Sequence, residues 1–198
     1  MAYVTVAKKH MRLETIKGSR FFALVFPIAS LDDVENELES TRMTYPDANH
    51  YCYAYKIGQN LKFSDDGEPG GTAGRPMLEV LQKRNLEAVL GIVVRYFGGT
   101  KLGAGGLVRA YSGSLAKALD EAGETLIKDR TKLFFEIPFQ AMDSVHRYLS
   151  EVAELVKEEM SYTAEGLRLG INLLLEDEAQ VKKDLLNLSK GDVRWLEP

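Results

Sequence analysis

Polar and apolar residues alternate over residues 12–17 (RLETIK), an apolar run follows at 20–26 (RFFALVF), and Gly18-Ser19 lies between them. Period-two patterning on either side of a turn pair predicts a hairpin. Ser30 then stands before Asp32, Asp33 and Glu35, with Leu31, Val34 and Leu38 at helical spacing, so a capped helix is expected over roughly 31–44. Residues 50–57 (HYCYAYKI) read as a strand that Gly58-Gln59-Asn60 turns into a short second one at 61–63. The next thirteen residues, SDDGEPGGTAGRP, hold four glycines and two prolines and form a loop. A short helix follows from Pro76 to about Lys83. Residues 88–97 are almost unbroken apolar sequence, as a strand covered on both faces requires. A helix from about Ala104 to Ala122 ends at Gly123.

Beyond Gly123 the pattern restarts. Strand-like runs at 131–137, 155–163, 167–175 and 192–196 alternate with helical spacing at 140–152 and 177–188. That order, βαββαβ, is the ferredoxin-like one. The expected fold is therefore α+β, with one domain over 1–128, a ferredoxin-like domain over 129–198, and a boundary within 124–130.

Charge changes this picture by half. The formal net charge is −4, which argues against a general attraction to nucleic acid or anionic membrane. The first 130 residues are nearly balanced, with 17 basic against 16 acidic side chains, and the remainder is acidic, with 8 against 13. Between Glu87 and Asp120 there is no acidic residue at all. One cysteine, Cys52, excludes an intrachain disulfide and suits a reducing, cytoplasmic setting. No run of about 18 apolar residues suggests a membrane span, and His10, His50 and His146 with Cys52 are too few and scattered for a zinc site.

The acid-free stretch contains the main candidate for chemistry. Gly98, Gly99, Gly103, Gly105 and Gly106 lie between a strand and a helix, with Arg95, Lys101 and Arg109 around them. Such a junction presents backbone N–H groups to an anion, or simply lets strand and helix pack closely. Neither the P-loop nor the G-x-G-x-x-G spacing is met. A second glycine loop, Gly70 to Pro76, places Arg75 at a helix entry. In Ser64-Asp65-Asp66-Gly67-Glu68-Pro69 three carboxylates are close enough to suggest Mg²⁺, although Asp-Gly is foremost a turn former and no metal or cofactor is expected. His50 and Cys52 share a strand face, so a thiolate-imidazole pair is conceivable beside the plainer reading of packed side chains. Tyr51, Tyr53 and Tyr55 on the opposite face read chiefly as packing.

Three ordered motifs resemble the YigZ/IMPACT family: HYCYAY at 50–55, SDDGEP with GTAGRP across 64–76, and VVRYFGG with KLGAGGL across 93–107. The resemblance implies an N-terminal domain like the second domain of a ribosomal small-subunit protein and domain IV of elongation factor G. It implies a C-terminal domain like that factor's domain V. Eukaryotic relatives act in translational control through a partner and an additional domain; for this chain the resemblance implies a nucleic-acid or ribosome connection and no inherited catalytic residue. The expected function is a non-enzymatic, translation-related regulator that binds RNA or a translation component. Its site would comprise Arg75, Arg95, Gly98, Gly99, Lys101, Gly103, Gly105, Gly106 and Arg109, lined by His50, Asp66 and Glu68. The alternative is a phosphoryl-transfer enzyme resembling kinases of left-handed βαβ architecture, with Asp66 and Glu68 holding Mg²⁺. A protein partner for the acidic C-terminal half is a third reading.

Overall fold

A computed structural model describes residues 2–197 and divides into two compact units, Tyr3–Ile127 and the chain from Lys128 onward. The first contains β1 (Tyr3–Val6), β2 (His10–Ile16), β3 (Ser19–Pro27), α1 (Leu31–Thr44), β4 (His50–Ile57), β5 (Asn60–Ser64), α2 (Gly74–Lys83), β6 (Val89–Tyr96), α3 (Ala104–Ala122) and β7 (Glu124–Ile127). Five strands form an antiparallel sheet in the order β2-β3-β6-β4-β5. Helices α2 and α3 cover one face and α1 covers part of the other.

The apolar run at 88–97 owes its character to the central place of β6. Val89 and Val93 pack with Met77, Leu81, Tyr111, Leu115 and Leu119 beneath α2 and α3. Leu90, Ile92 and Val94 pack with Leu24, Phe26, Val34 and Tyr55 on the α1 side. Gly91 faces Leu115, whose methyl a Cβ would meet at 2.7 Å, so α3 comes close to the sheet only because that side chain is missing.

Helix α1 begins with a capping box. The Ser30 hydroxyl accepts from the Asp33 N–H, and the Asp33 carboxylate accepts from the N–H groups of Ser30 and Ala29. Helix α2 starts at Gly74, two residues earlier than the sequence pattern suggests, because the Asp65 carboxylate accepts from the N–H groups of Ala73 and Gly74 at 3.0 and 2.8 Å. Within the 124–130 segment, where the sequence pattern places a domain boundary, residues 124–127 form a strand. β7 pairs antiparallel with β1, from Tyr3 opposite Ile127 to Val6 opposite Glu124. Each strand has only four residues and each finds its partner about 120 positions away, so neither leaves a local signal.

The second unit contains β8 (Arg130–Pro138), α4 (Met142–Glu151), β9 (Val156–Tyr162), β10 (Gly166–Leu174), α5 (Glu178–Leu188) and β11 (Arg194–Leu196). Its antiparallel sheet has the order β11-β8-β10-β9, the ferredoxin-like arrangement of the βαββαβ pattern. Phe135, Ile137, Leu167, Leu169, Ile171 and Leu173 face Val145, Leu149, Val181 and Leu185 of the two helices. The open face carries opposite charges side by side, including Lys132 with Glu158 and Arg168 with Glu136. The molecule is thus α+β throughout.

Candidate functional site

Asp65 opens the loop after β5 and organises it. Its carboxylate accepts three backbone N–H groups, from Gly71 at 2.7 Å and from Ala73 and Gly74, which draws the second glycine loop onto the start of α2. Asp66, in the left-handed region at φ 41°, turns the other way and accepts the Tyr51 N–H at 2.6 Å. Its carbonyl lies 2.8 Å from His50 Nδ1. Glu68 then points inward, with only 3% of its side chain exposed. It accepts from Arg95 at 2.5 Å and from the Tyr111 hydroxyl at 2.7 Å, and His50 Nε2 stands 3.8 Å away.

One buried carboxylate therefore ties the acidic loop to the end of β6 and to the second turn of α3. A buried ion pair is tolerable only when hydrogen bonds occupy its remaining lone pairs, and Tyr111 supplies one. Burial drives the Tyr111 phenol far above its ordinary range, with the neighbouring Cys52 and Glu68 adding to the effect. The Cys52 thiol, pushed up to about 12 chiefly by burial, donates to the Asp65 carbonyl at 3.0 Å. His50 and Cys52 each engage the loop, and a neutral thiol of this kind is not a nucleophile.

The three carboxylates thus face three different sets of donors. No group of three metal-ligating side chains occurs among the described residues, and Asp66 and Glu68 do not converge on a common point for Mg²⁺. Arg95, expected as a phosphate partner, is 5% exposed and its charge is matched by Glu68. Its guanidinium also lies 5.4 and 5.5 Å from the ring centroids of Phe21 and Phe97.

The five glycines of the strand-to-helix junction divide by role. Gly98 presses on the β2–β3 turn: a Cβ there would overlap the Gly18–Ser19 peptide, and its N–H donates to the Ser19 hydroxyl at 3.1 Å. Gly99 and Gly103 have φ of 84° and 72°, which the turns demand. Gly106 is close to Leu102, whereas Gly105 faces open space. Helix α3 has no side-chain cap and no acidic residue in its first turn. The N–H groups of Ala104, Gly105 and Gly106 have no acceptor among the described residues. Beside this turn is a groove of about 240 Å³ lined by Ile16, Lys17, Leu102, Gly106, Arg109 and Ala110. Lys101 is exposed next to it, and neither Lys17, Lys101 nor Arg109 pairs with a carboxylate among the described residues. Arg75 lies at the start of α2, exposed and 3.6 Å from Glu79.

The family model of the Impact N-terminal domain matches residues 17–119, just over half the chain. The chain is 41% identical over 183 residues to an IMPACT family member encoded in the pol 5' region of Thermus thermophilus, covering 92% of this chain and 99% of that one. The chain belongs to the IMPACT family. It is also 45% identical over 112 residues to the IMPACT family member YigZ of Escherichia coli K12, covering 54% of this chain and 55% of YigZ. A crystal structure of a hypothetical protein superposes with a TM-score of 0.69 at 30% identity, covering all of this chain and 97% of its own. At the level of the family, IMPACT membership carries a translation-related regulatory role. The matched segment contains every residue of the Glu68 network and every groove residue except Ile16, which lies one position before it.

Two contributors to this IMPACT region went unread in the sequence. Lys17 lies in a turn at φ 48°, more than 80 positions from Lys101, and the contacts of Gly18 and Ser19 with Gly98 unite them. Tyr111 sits inside an apolar helical pattern, where a tyrosine reads as core. Both are consequences of long-range pairing. Glu68, read in the sequence as a site-lining carboxylate or a Mg²⁺ holder, is the buried partner of Arg95. No helix among the described residues is long and apolar enough to cross a membrane.

Proposed function

We propose that this IMPACT protein is a non-enzymatic regulator that holds a phosphate-bearing component of the translation machinery, RNA in the simplest case, at the start of α3. The observation that carries this reading is the combination of the groove cations Lys17 and Arg109, the adjacent Lys101, and a first helical turn with free N–H groups and no acid. A helix terminus alone contributes about 0.3–1 kcal/mol to anion binding, so the cations supply most of the attraction. Glycines 99, 103 and 105 keep side chains away from the approach, while Arg95, His50, Asp66 and Glu68 hold the scaffold from behind.

Equilibrium binding of a single-stranded RNA to the full chain tests the proposal. Lys101→Ala with Arg109→Ala should weaken binding by about tenfold or more, since each lost phosphate contact removes a counterion-release contribution. An unaltered affinity in the double variant would remove the groove from the binding surface.

A further inference from the structure

We propose that the bare half of the N-terminal sheet is a stacking platform for the bases of single-stranded RNA, centred on Arg20, Phe22 and Tyr96. The inference rests on the phosphate-binding reading above and assigns to the same partner a second kind of contact.

The platform follows from register. Met11 is opposite Leu24, Leu13 opposite Phe22, Thr15 opposite Arg20, and Arg20 opposite Tyr96, so these residues share the face of the sheet that carries α1. Val34 of α1 packs over Leu24, Phe26, Leu90 and Ile92. Met11 and Leu13 remain 46% and 48% exposed. The alternate positions of β2 are directed to α3, where His10 and Arg12 meet Glu121, and Glu14 meets Ser114 and Lys117. Glu14 is the only carboxylate in the two strands, so the bare face has no strand position bearing negative charge.

Arg20 is exposed and has no carboxylate partner among the described residues. Its guanidinium lies 4.7 Å from the Tyr96 ring and 5.9 Å from the Phe22 ring. Phe22 is itself held by Tyr45 at 4.8 Å and by Tyr96 at 5.9 Å, and the Tyr96 hydroxyl donates to the Pro46 carbonyl. A planar cation backed by a fixed ring offers its outer surface to a nucleobase, and the neighbouring Leu13 and Met11 continue an apolar floor. Unpaired bases fit such a floor, whereas a duplex hides its base faces.

Position joins the platform to the groove. Lys17 and Arg20 belong to one hairpin, whose Gly18 and Ser19 touch Gly98. A strand whose phosphates cross Lys17, Lys101 and Arg109 on the α3 side reaches the platform by rounding the β2–β3 turn, on which Lys17 and Arg20 are three positions apart. The unpaired charge of Arg20, on strands that bear no carboxylate on this face, favours this occupant over an acidic-and-basic protein surface.

The test compares a short oligoadenylate with an abasic ribose-phosphate oligomer of equal length and charge, both titrated into the full chain. The wild type should prefer oligoadenylate by at least about fivefold, the lower end of what stacking one base contributes. Arg20→Lys, which keeps the charge and loses the plane, should abolish the preference for oligoadenylate. Lys101→Ala with Arg109→Ala should weaken both ligands alike. Equal wild-type affinities, or a preference that survives Arg20→Lys, would overturn the platform and leave the groove standing. Binding of neither oligomer would overturn both readings and give the face to a protein.

Discussion

Glu68 shows how a residue can look like chemistry and serve architecture. In the sequence it is one of three carboxylates in a glycine-rich loop, which suits Mg²⁺ as well as a turn; in the fold it is the buried counter-charge of Arg95. Removing one partner of such a pair leaves an uncompensated buried charge, so Glu68→Gln should cost about 3 kcal/mol or more in chemical denaturation. Adding Arg95→Met should recover a large part of that loss, and a double variant as unstable as the sum of the two singles would refute the pairing. The junction glycines can be separated in the same way. Gly98→Ala forces a methyl into the Gly18–Ser19 peptide and should unfold or grossly destabilise the protein, whereas Gly105→Ala meets nothing within 4 Å and should be neutral or stabilising by up to about 1 kcal/mol. Equal melting temperatures for the two variants would contradict this division.

Elements whose signal is local were legible. The capped start of α1, the Gly18-Ser19 hairpin, the doubly covered β6 and the restart of pattern after Gly123 all follow from residues within a few positions of one another. What could not be read was settled at a distance: β1 with β7, and the early start of α2, which the Asp65 carboxylate sets from nine positions upstream. The cap of α1 also carries a pH dependence of definite sign. Backbone N–H groups of Ala29 and Ser30 hold the Asp33 carboxyl below its ordinary range, so the folded state favours the anion. That stabilisation is present above the ordinary carboxylate pKa of about 4 and is lost as the pH falls through the lowered folded value. Asp33→Asn should therefore unfold at lower denaturant than wild type at neutral pH, with the gap closing in acid. A gap that persists unchanged at low pH would mean that the carboxylate charge is not what caps the helix.

For the whole molecule, the fold class and the family were visible in the motifs at 50–55, 64–76 and 93–107, and the candidate site proposed above draws only in part on residues the sequence singled out. Lys101, Arg109 and the glycines stood in one acid-free stretch, so local sequence located them; Lys17 and Arg20 joined them only because the β2–β3 hairpin folds back against Gly98. Arg95 was misleading for a physical reason, since its counter-charge lies 27 positions away and is brought to it by the loop. The account therefore predicts a polyanion surface on a protein of net negative charge, gathered around the β2–β3 turn where it meets the start of α3. Salt dependence measures such a surface directly. Affinity for single-stranded RNA, followed across a salt series, should fall for the wild type and fall less steeply for the variant lacking Lys17, Lys101 and Arg109, by about 0.7 in logarithmic slope for each cation that meets a phosphate. A triple variant with the wild-type slope and affinity would contradict the central claim.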